Sequence, residues 1–190
     1  MNKIKYLLVC VLLISGLFLV PTCNAQGDAR AKSSVLYYFN NNARTAFDES
    51  INDIANEFLY KKFAGLYTRV DSAPYANLFV NKSLLKYDAY DMAELVAPAG
   101  AKYFVYLELG LYQEDSRLHL TYLDKPKYAK LLLRIIDVEQ KRELLHNFIP
   151  AYTDEESRQA WEQGDKGVAL EELRTALFRA GEDISTHLPL

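Results

Sequence analysis

Histidine, serine and glycine residues do not form a recognisable catalytic or metal-binding motif. No two of the three histidines, His119, His146 and His187, share the strand or helix spacing that builds a metal site. The eight glycines form neither Gly-x-Gly nor Gly-x-x-x-x-Gly-Lys, and no serine stands in a Gly-x-Ser-x-Gly turn. The sequence therefore predicts no catalytic residue, no cofactor and no metal ion.

One carboxylate lies in the middle of an apolar strand. Glu108 is flanked by Leu107 and Leu109 in the run Tyr103–Leu109. If its side chain faced the core, burial would disfavour its charged form, a perturbation found at functional sites. Lone carboxylates in strands are mostly exposed. We therefore expect Glu108 to face solvent or to pair with a strand neighbour such as Arg134.

Tyrosine is unusually frequent, with 14 residues in the chain. Five tyrosines on predicted strands or in their ends are Tyr103, Tyr106, Tyr112, Tyr122 and Tyr128. Tyrosine offers a large contact area at low entropy cost and is enriched at interfaces. These five are the candidate interaction surface, suited to a protein, a peptide strand or a glycan. The alternative is that they fill space between strands and helices, since tyrosine also favours strands.

The first 25 residues have the three parts of a secretory signal peptide. Lys3 and Lys5 supply positive charge, Tyr6–Val20 is almost wholly apolar, and small residues precede a cleavage site between Ala25 and Gln26. The apolar run is shorter than the about 20 residues that span a membrane. We expect an exported protein, periplasmic or otherwise extracytoplasmic, whose mature chain has no transmembrane helix.

Cleavage of this segment would change the composition of the chain. Both cysteines, Cys10 and Cys23, would leave, and loss of Lys3 and Lys5 would move the formal net charge from −3 to −5. The acidic balance argues against a nucleic-acid partner, because such binding depends on clustered basic residues. A lipid anchor at Cys23 is the alternative to cleavage after Ala25, although proline and threonine precede Cys23 where small residues are usual.

Hydrophobic periodicity predicts the elements of the first half of the mature chain. Residues 26–33 are a flexible leader, and residues 34–190 form a single α/β domain. The first elements are a buried strand at Val35–Phe39 that ends in three asparagines, a helix with Phe47, Ile51, Ile54 and Phe58 on one face and Thr45 as its cap, a strand at Leu66–Val70, a short helix after Ser72, and a helix from about Asp88.

The second half predicts further strands and a long final helix. Strands are expected at Tyr103–Leu109, Arg117–Leu123, Tyr128–Val138 and Arg142–Ile149, the last two as an antiparallel hairpin. Thr153 and Glu156 match a capping box before a short helix, and a helix follows from Val168 to His187. The fold class is α/β, with a mixed sheet of five to six strands, packing helices and a long C-terminal helix.

Three short segments resemble a known family. A strand ends in Phe39-Asn40-Asn41, a helix closes on Gly100-Ala101 before a strand, and a strand closes on Ile135-Ile136-Asp137 with a turn after it. This order is similar to the N-terminal domain of TolB and to the core of CsgG-type envelope proteins, although the turn after Asp137 lacks the Thr-Gly usual there.

The resemblance implies a non-enzymatic module that binds a partner protein in the cell envelope. Fold alone does not fix function, so two alternatives stay open. One is a cell-wall or glycan hydrolase with paired carboxylates, which would need two acids about 5–9.5 Å apart in a cleft. The other is a small-ligand binding protein with a tyrosine-lined pocket.

Overall fold

The computed structural model describes residues 33–79, 83–113 and 127–188. The predicted signal peptide, the cleavage site between Ala25 and Gln26, Cys23, nearly all of the leader and the strand at Arg117–Leu123 lie outside these residues. These features stay predictions, as does the division of the chain into domains.

The described residues form five strands and five α-helices. The strands are β1 (Ser34–Asn42), β2 (Thr68–Arg69), β3 (Tyr103–Gln113), β4 (Lys127–Asp137) and β5 (Arg142–Pro150), and the helices are α1 (Asp48–Phe63), α2 (Ala76–Phe79), α3 (Ala89–Val96), α4 (Glu155–Gln163) and α5 (Lys166–His187).

All five strands join one mixed sheet in the order β2-β1-β3-β4-β5. The strand β1 runs parallel to β2 and β3, whereas β3, β4 and β5 are antiparallel to their neighbours. The predicted hairpin is β4 and β5. The expected mixed sheet with packing helices and a long C-terminal helix is therefore confirmed for the described part of the chain.

One face of the sheet packs against α1 and α5. The buried side of α1 carries Ile51, Ala55, Leu59 and Phe63, one residue every turn. The apolar positions predicted for α5 are all buried: Ala169, Leu173, Ala176, Leu177, Ala180 and Ile184. Because each fully buried large apolar side chain contributes roughly 1.5–3 kcal/mol, these two stripes hold both helices on the sheet.

The opposite face packs against the segment between β2 and β3. Its core contains Phe79 of α2, Leu84 of the following turn, and Met92 and Val96 of α3. These residues cover Phe104 and the neighbouring positions of β3 and β4. Both faces of β3 are thus buried over most of its length, which is why its residues 103–110 are all buried.

Two predicted helix caps are wrong in detail. Asp154, not Thr153, caps α4, since its side chain accepts a hydrogen bond from the Ser157 N–H, and the Ser157 hydroxyl completes the capping box. Thr45 lies in the turn before α1, where its hydroxyl accepts from the Phe47 N–H at 3.2 Å. The residue at the cap position is therefore Asp154 in α4 and Phe47, without a side-chain hydrogen bond, in α1.

The first two strands differ in length from the prediction. The strand β1 continues through Asn40, Asn41 and Asn42, which the sequence suggested as turn formers. The strand β2 has only two residues of the predicted Leu66–Val70. Among the described residues, most of β1 therefore has a neighbouring strand on one side only.

Candidate functional site

Two of the five predicted surface tyrosines lie in the core. Tyr103 is 3% exposed and packs on the α1 and α5 face, whereas Tyr106 is fully buried on the opposite face. Alternation along β3 separates them, because successive side chains point to opposite faces. Neither side chain is available to a partner, because both faces of β3 are covered here.

Tyr112 and Tyr128 lie nearer the surface. They are directly opposite each other in the β3–β4 register and are half-buried. Tyr112 packs edge-on against Phe148 of β5 at 5.7 Å between ring centroids, and Tyr128 contacts Tyr152 at 5.5 Å. Tyr122 lies outside the described residues. The five tyrosines thus do not form one surface among the described residues.

Glu108 is buried, contrary to the solvent-facing position expected from the sequence. It is 1% exposed. Its carboxylate accepts hydrogen bonds from the Ser83 hydroxyl at 2.9 Å and the Asn40 amide at 3.2 Å. The hydroxyls of Tyr106 and Tyr112 also donate to it. The cause is tertiary, since the turn at Ser83 covers this end of the sheet face.

The expected pairing of Glu108 with Arg134 is also wrong. Arg134 is directly opposite Tyr106 and is 2% exposed. Its guanidinium donates to Glu143 and to the backbone carbonyls of Leu84 and Tyr87. Arg134 therefore links the turn at Leu84 to the sheet. It is not hydrogen-bonded to Glu108, which with its donors Asn40, Ser83, Tyr106 and Tyr112 forms the Glu108 cluster.

The Glu108 cluster favours neutral tyrosines. Burial raises the pKa of Tyr106, and the adjacent Glu108 carboxylate raises this pKa further. Burial and the same carboxylate raise the pKa of Tyr112. The groups that donate hydrogen bonds to Glu108 are hydroxyls and an amide, and they belong to β1, β3 and the Ser83 turn. The cluster therefore connects these three segments. It does not contain the two facing carboxylates that the alternative function, a hydrolase, would need.

The histidines and acids form no recognisable metal centre among the residues that the structure describes. No group of three or more potential ligands of this kind occurs there. His146 lies 3.4 Å from Glu143 on β5, and the ring of His187 contacts the Asp183 carbonyl at 2.9 Å. His119 lies outside the described residues.

The strand β1 has an open edge. The last backbone hydrogen bond from the β2 side joins the Val70 N–H to the Val35 carbonyl at 2.9 Å. Alternation then directs the backbone groups of Tyr37, Phe39 and Asn41 away from β3, towards the side that β2 has left. Within residues 33–79, 83–113 and 127–188, no backbone group pairs with them on that side.

A groove of about 430 Å³ runs along this open edge. Its lining is Tyr37, Tyr38, Phe39, Asn40 and Asn41 of β1, Asn52 and Asn56 of α1, and Ser72. None of these side chains is charged. Asn52 and Asn56 are one helical turn apart and exposed, so their amides flank the edge from the α1 side.

Asn41 adds an unpaired donor to the groove. Its side-chain oxygen accepts from the Ala43 N–H at 3.1 Å, but its Nδ2 atom is buried and has no hydrogen-bond partner among the described residues. A buried amide without a partner costs about 1–3 kcal/mol. The groove therefore contains a donor that a bound polar group would satisfy.

The sequence contains a signal for this edge in the run Asn40-Asn41-Asn42. The turn-forming tendency of asparagine predicts that the strand ends there, whereas the run continues β1. Asparagine is depleted in ordinary strands, so three in succession at a strand end mark an unusual edge. Asn52 and Asn56 gave no signal, because exposed polar residues are normal on an amphipathic helix.

Comparison with known proteins gives weak similarities of fold. No protein-family model and no curated protein sequence matches the chain. A hypothetical protein of Chlamydia trachomatis is similar at 13% identity, over 80% of this chain and 96% of that one, with a TM-score of 0.42. The lipoprotein GNA1162 of Neisseria meningitidis is similar at 12% identity, over 70% of this chain and 94% of that one, with a TM-score of 0.37.

TolB is also among the similar solved structures. TolB of Acinetobacter baumannii is 21% identical, and the match covers 77% of this chain and 29% of TolB, with a TM-score of 0.34. The resemblance to TolB expected from the sequence thus has a weak counterpart in structure.

Among the described residues, no helix has the length and apolar character needed to cross a bilayer.

Proposed function

We propose that this chain is an exported, non-enzymatic module of the cell envelope that binds an extended segment of a partner protein along β1. The observation that carries the proposal is the open backbone edge at Tyr37, Phe39 and Asn41 beside an uncharged groove. Addition of a strand to an open sheet edge is a common mode of peptide recognition.

The backbone of β1 would provide the affinity. Each of the three outward-facing residues offers one N–H donor and one carbonyl acceptor. A new backbone hydrogen bond contributes about 1 kcal/mol net. Their alternation along β1 matches the repeat of an extended peptide, so one added strand satisfies all three residues in a single register.

The groove side chains would select the partner. Amides of Asn41, Asn52 and Asn56 hydrogen-bond to polar side chains or to backbone, and the unpaired Asn41 Nδ2 gains its missing acceptor. The rings of Tyr37 and Tyr38 supply apolar contact beside them. We infer a partner segment that is extended and rich in polar side chains.

The extracytoplasmic address of the module rests on the N-terminal segment. Its positive start, apolar run and small residues before Gln26 are the features of an exported chain. The partner is accordingly expected among envelope proteins. A lipid on Cys23 would hold the module at a membrane surface, whereas cleavage after Ala25 would release it.

Site-specific photocrosslinking from the groove tests the function. A photoreactive phenylalanine analogue at Asn52 or Asn56 in cells that make the full chain is expected to crosslink one envelope protein through an extended segment. The matched control places the analogue at Asp53, which is exposed on the same helix but does not line the groove.

Three results distinguish the outcomes. Crosslinks at Asn52 and Asn56 but not at Asp53, mapped to a single partner segment, support strand addition. Equal crosslinking from all three positions, or none from the groove, would overturn it. Recovery of a glycan or a small molecule from the groove positions would instead favour one of the two alternative functions.

A further inference from the structure

The outer surfaces of α1 and α5 form a second groove, separate from the β1 edge. It has a volume of about 600 Å³, and its apolar lining includes Ile54 and Phe58 of α1 and Leu177 and Phe178 of α5. Ile54 and Phe58 belong to the apolar stripe predicted for α1, but they lie at its margin and are only partly buried. The apolar stripe of α1 therefore extends beyond the residues that are fully buried against the sheet.

Phe178 is the most exposed large apolar side chain of the described residues. It is 68% exposed, whereas its neighbour Leu177 is 2% exposed. A single exposed apolar residue is ordinary, but one at the rim of an apolar groove makes a contiguous patch, which marks an interaction surface. The patch consists of the apolar groove and the exposed Phe178 ring at its rim.

Gly181 keeps the floor of this groove low. A Cβ atom at position 181 would lie 3.3 Å from the Phe58 ring, closer than an ordinary van der Waals contact. The glycine therefore lets the Phe58 ring lie across α5, and the groove stays open between the helices. A larger side chain at position 181 would require the Phe58 ring to shift.

Two opposite charges flank Phe178 symmetrically. Arg174 lies four residues before it and Glu182 lies four residues after it, and both line the groove. At a rise of 1.5 Å per residue, each charge is about 6 Å from Phe178 along the axis, on nearly the same helix face. Along α5 the charge pattern therefore reverses across Phe178, and the third charged residue of the lining, Lys62 of α1, donates to the Ser185 hydroxyl.

We propose that this groove binds a second copy of the chain, with the two α5 helices antiparallel about a two-fold axis at Phe178. In that arrangement Arg174 faces the partner's Glu182, and Glu182 faces the partner's Arg174. A two-fold interface uses the same patch on both subunits, so self-complementary charge is the feature it requires. A parallel arrangement would place like charges opposite each other.

Within one chain, little holds Arg174 away from such a partner. Its ion pair with Glu171 spans 3.3 Å, and the two side chains are 55% and 73% exposed. Exposed pairs of this kind contribute little in water. Each copy can therefore pack its Phe178 ring against the partner's Phe178 at the rim of the groove while Arg174 exchanges one exposed carboxylate for another.

Sedimentation velocity of the full chain over a range of concentrations tests the dimer. The native chain is expected to show a monomer–dimer equilibrium, and Phe178→Glu is expected to sediment as a monomer. Because Phe178 is largely exposed, its replacement leaves the fold intact, which the far-ultraviolet circular dichroism and the melting temperature will verify.

A charge swap tests the orientation. Arg174→Glu and Glu182→Arg are each expected to raise the dimer dissociation constant about tenfold, because each loses two ion pairs and creates two like-charge contacts. The double variant restores opposite charges across the axis and is expected to regain near-native dimerisation. Arg179→Glu, the same charge change at an exposed position of α5 that does not line the groove, is the matched control.

Several results would overturn the proposal. A native chain that stays monomeric at its solubility limit would do so, as would a dimer unaffected by Phe178→Glu. Failure of the double variant to recover would exclude the antiparallel register. None of these results bears on strand addition at β1, because the two surfaces share no residue.

Discussion

The two edges of the sheet differ in how well they are protected from pairing with another strand. The strand β5 at one edge carries Arg142, Glu143 and His146 along its length and ends in Pro150. At the other edge, β2 covers only the first residues of β1, and the groove beyond it has no charged lining. Charges and proline on an edge strand discourage pairing with another chain.

This difference indicates which edge is suited to accept a strand. The Ala151 N–H donates to the Ala129 carbonyl at 2.9 Å, so alternation directs the nitrogen of Pro150 away from β4. At that outward position proline offers no donor to an incoming strand. The edge of β1 keeps its donors, and we expect it alone to bind a partner segment.

The largest effect is expected from removing the Glu108 carboxylate, which accepts a hydrogen bond from Asn40 of β1. Glu108→Ala would remove the acceptor of the buried Tyr106 hydroxyl and the half-buried Ser83 hydroxyl, and one of the hydrogen bonds of Asn40, at a cost of about 3 kcal/mol in unfolding free energy. The melting temperature should fall by roughly 6–12 °C, and partner binding should weaken. Chemical and thermal denaturation measure this, and Glu139→Ala in the exposed turn is the control. A change of less than about 0.5 kcal/mol would contradict a supporting role.

Charge at the β1 groove should abolish the difference between the two edges. The double variant Asn52→Lys/Asn56→Lys is expected to weaken partner binding about tenfold or more, because lysines beside an open edge oppose strand pairing. Stability should be unchanged, since both positions are exposed. Titration calorimetry with the crosslinked segment as a peptide measures the affinity. Asp53→Lys makes the same change in charge outside the groove, and equal weakening by it would argue against docking there.

Alkaline pH should selectively weaken the Glu108 cluster, in which Tyr106 and Tyr112 donate hydrogen bonds to the carboxylate. Folding raises the pKa of the Tyr106 and Tyr112 hydroxyls, so it favours their neutral forms. That stability is fully present below the unfolded tyrosine pKa of about 10 and is lost as pH rises above it. Unfolding free energy measured from about pH 9 to about pH 11 should fall less steeply in Tyr106→Phe than in the native chain. Parallel slopes would refute the assignment, and Tyr60→Phe, at an exposed tyrosine, serves for comparison.

The smallest effect is expected from unblocking the β5 edge. Pro150→Val restores an outward N–H and should slightly increase self-association, because one of several protective features is removed. Static light scattering of concentrated samples measures it in a chain that also carries Phe178→Glu, which removes the dimer proposed above. Asn77→Val, at an exposed position that does not line the β1 groove, is the comparison, since it leaves β5 protected. A fall in self-association of Pro150→Val would contradict the protective role.

Much of the fold could be predicted from periodicity. The strands β3, β4 and β5 and the helices α1 and α5 have long apolar patterns with clear ends, and tertiary contacts reinforce these local preferences. The lengths of β1 and β2 could not be predicted, because the asparagine run resembled a turn and the alternation at Leu66–Val70 did not reveal that pairing stops at Val70.

The candidate site was less predictable, for a physical reason. Alternation tells which residues of β3 share a face, but not which face is covered. Helices cover both faces here, so Tyr103 and Tyr106 are buried and Glu108 is buried with them. The Ser83 turn that encloses Glu108 is brought to it only by tertiary packing. The open edge likewise depends on where β2 leaves β1, which no local pattern encodes.

Amide hydrogen exchange by NMR tests the open edge of β1 most directly. In the free chain, the N–H groups of Tyr37, Phe39 and Asn41 should exchange quickly, whereas those of Tyr38 and Asn40, which face β3, should be protected. In the complex with the crosslinked partner segment, the first three should become protected too. Equal protection of both sets in the free chain, or new protection on binding along β5 instead, would contradict the account.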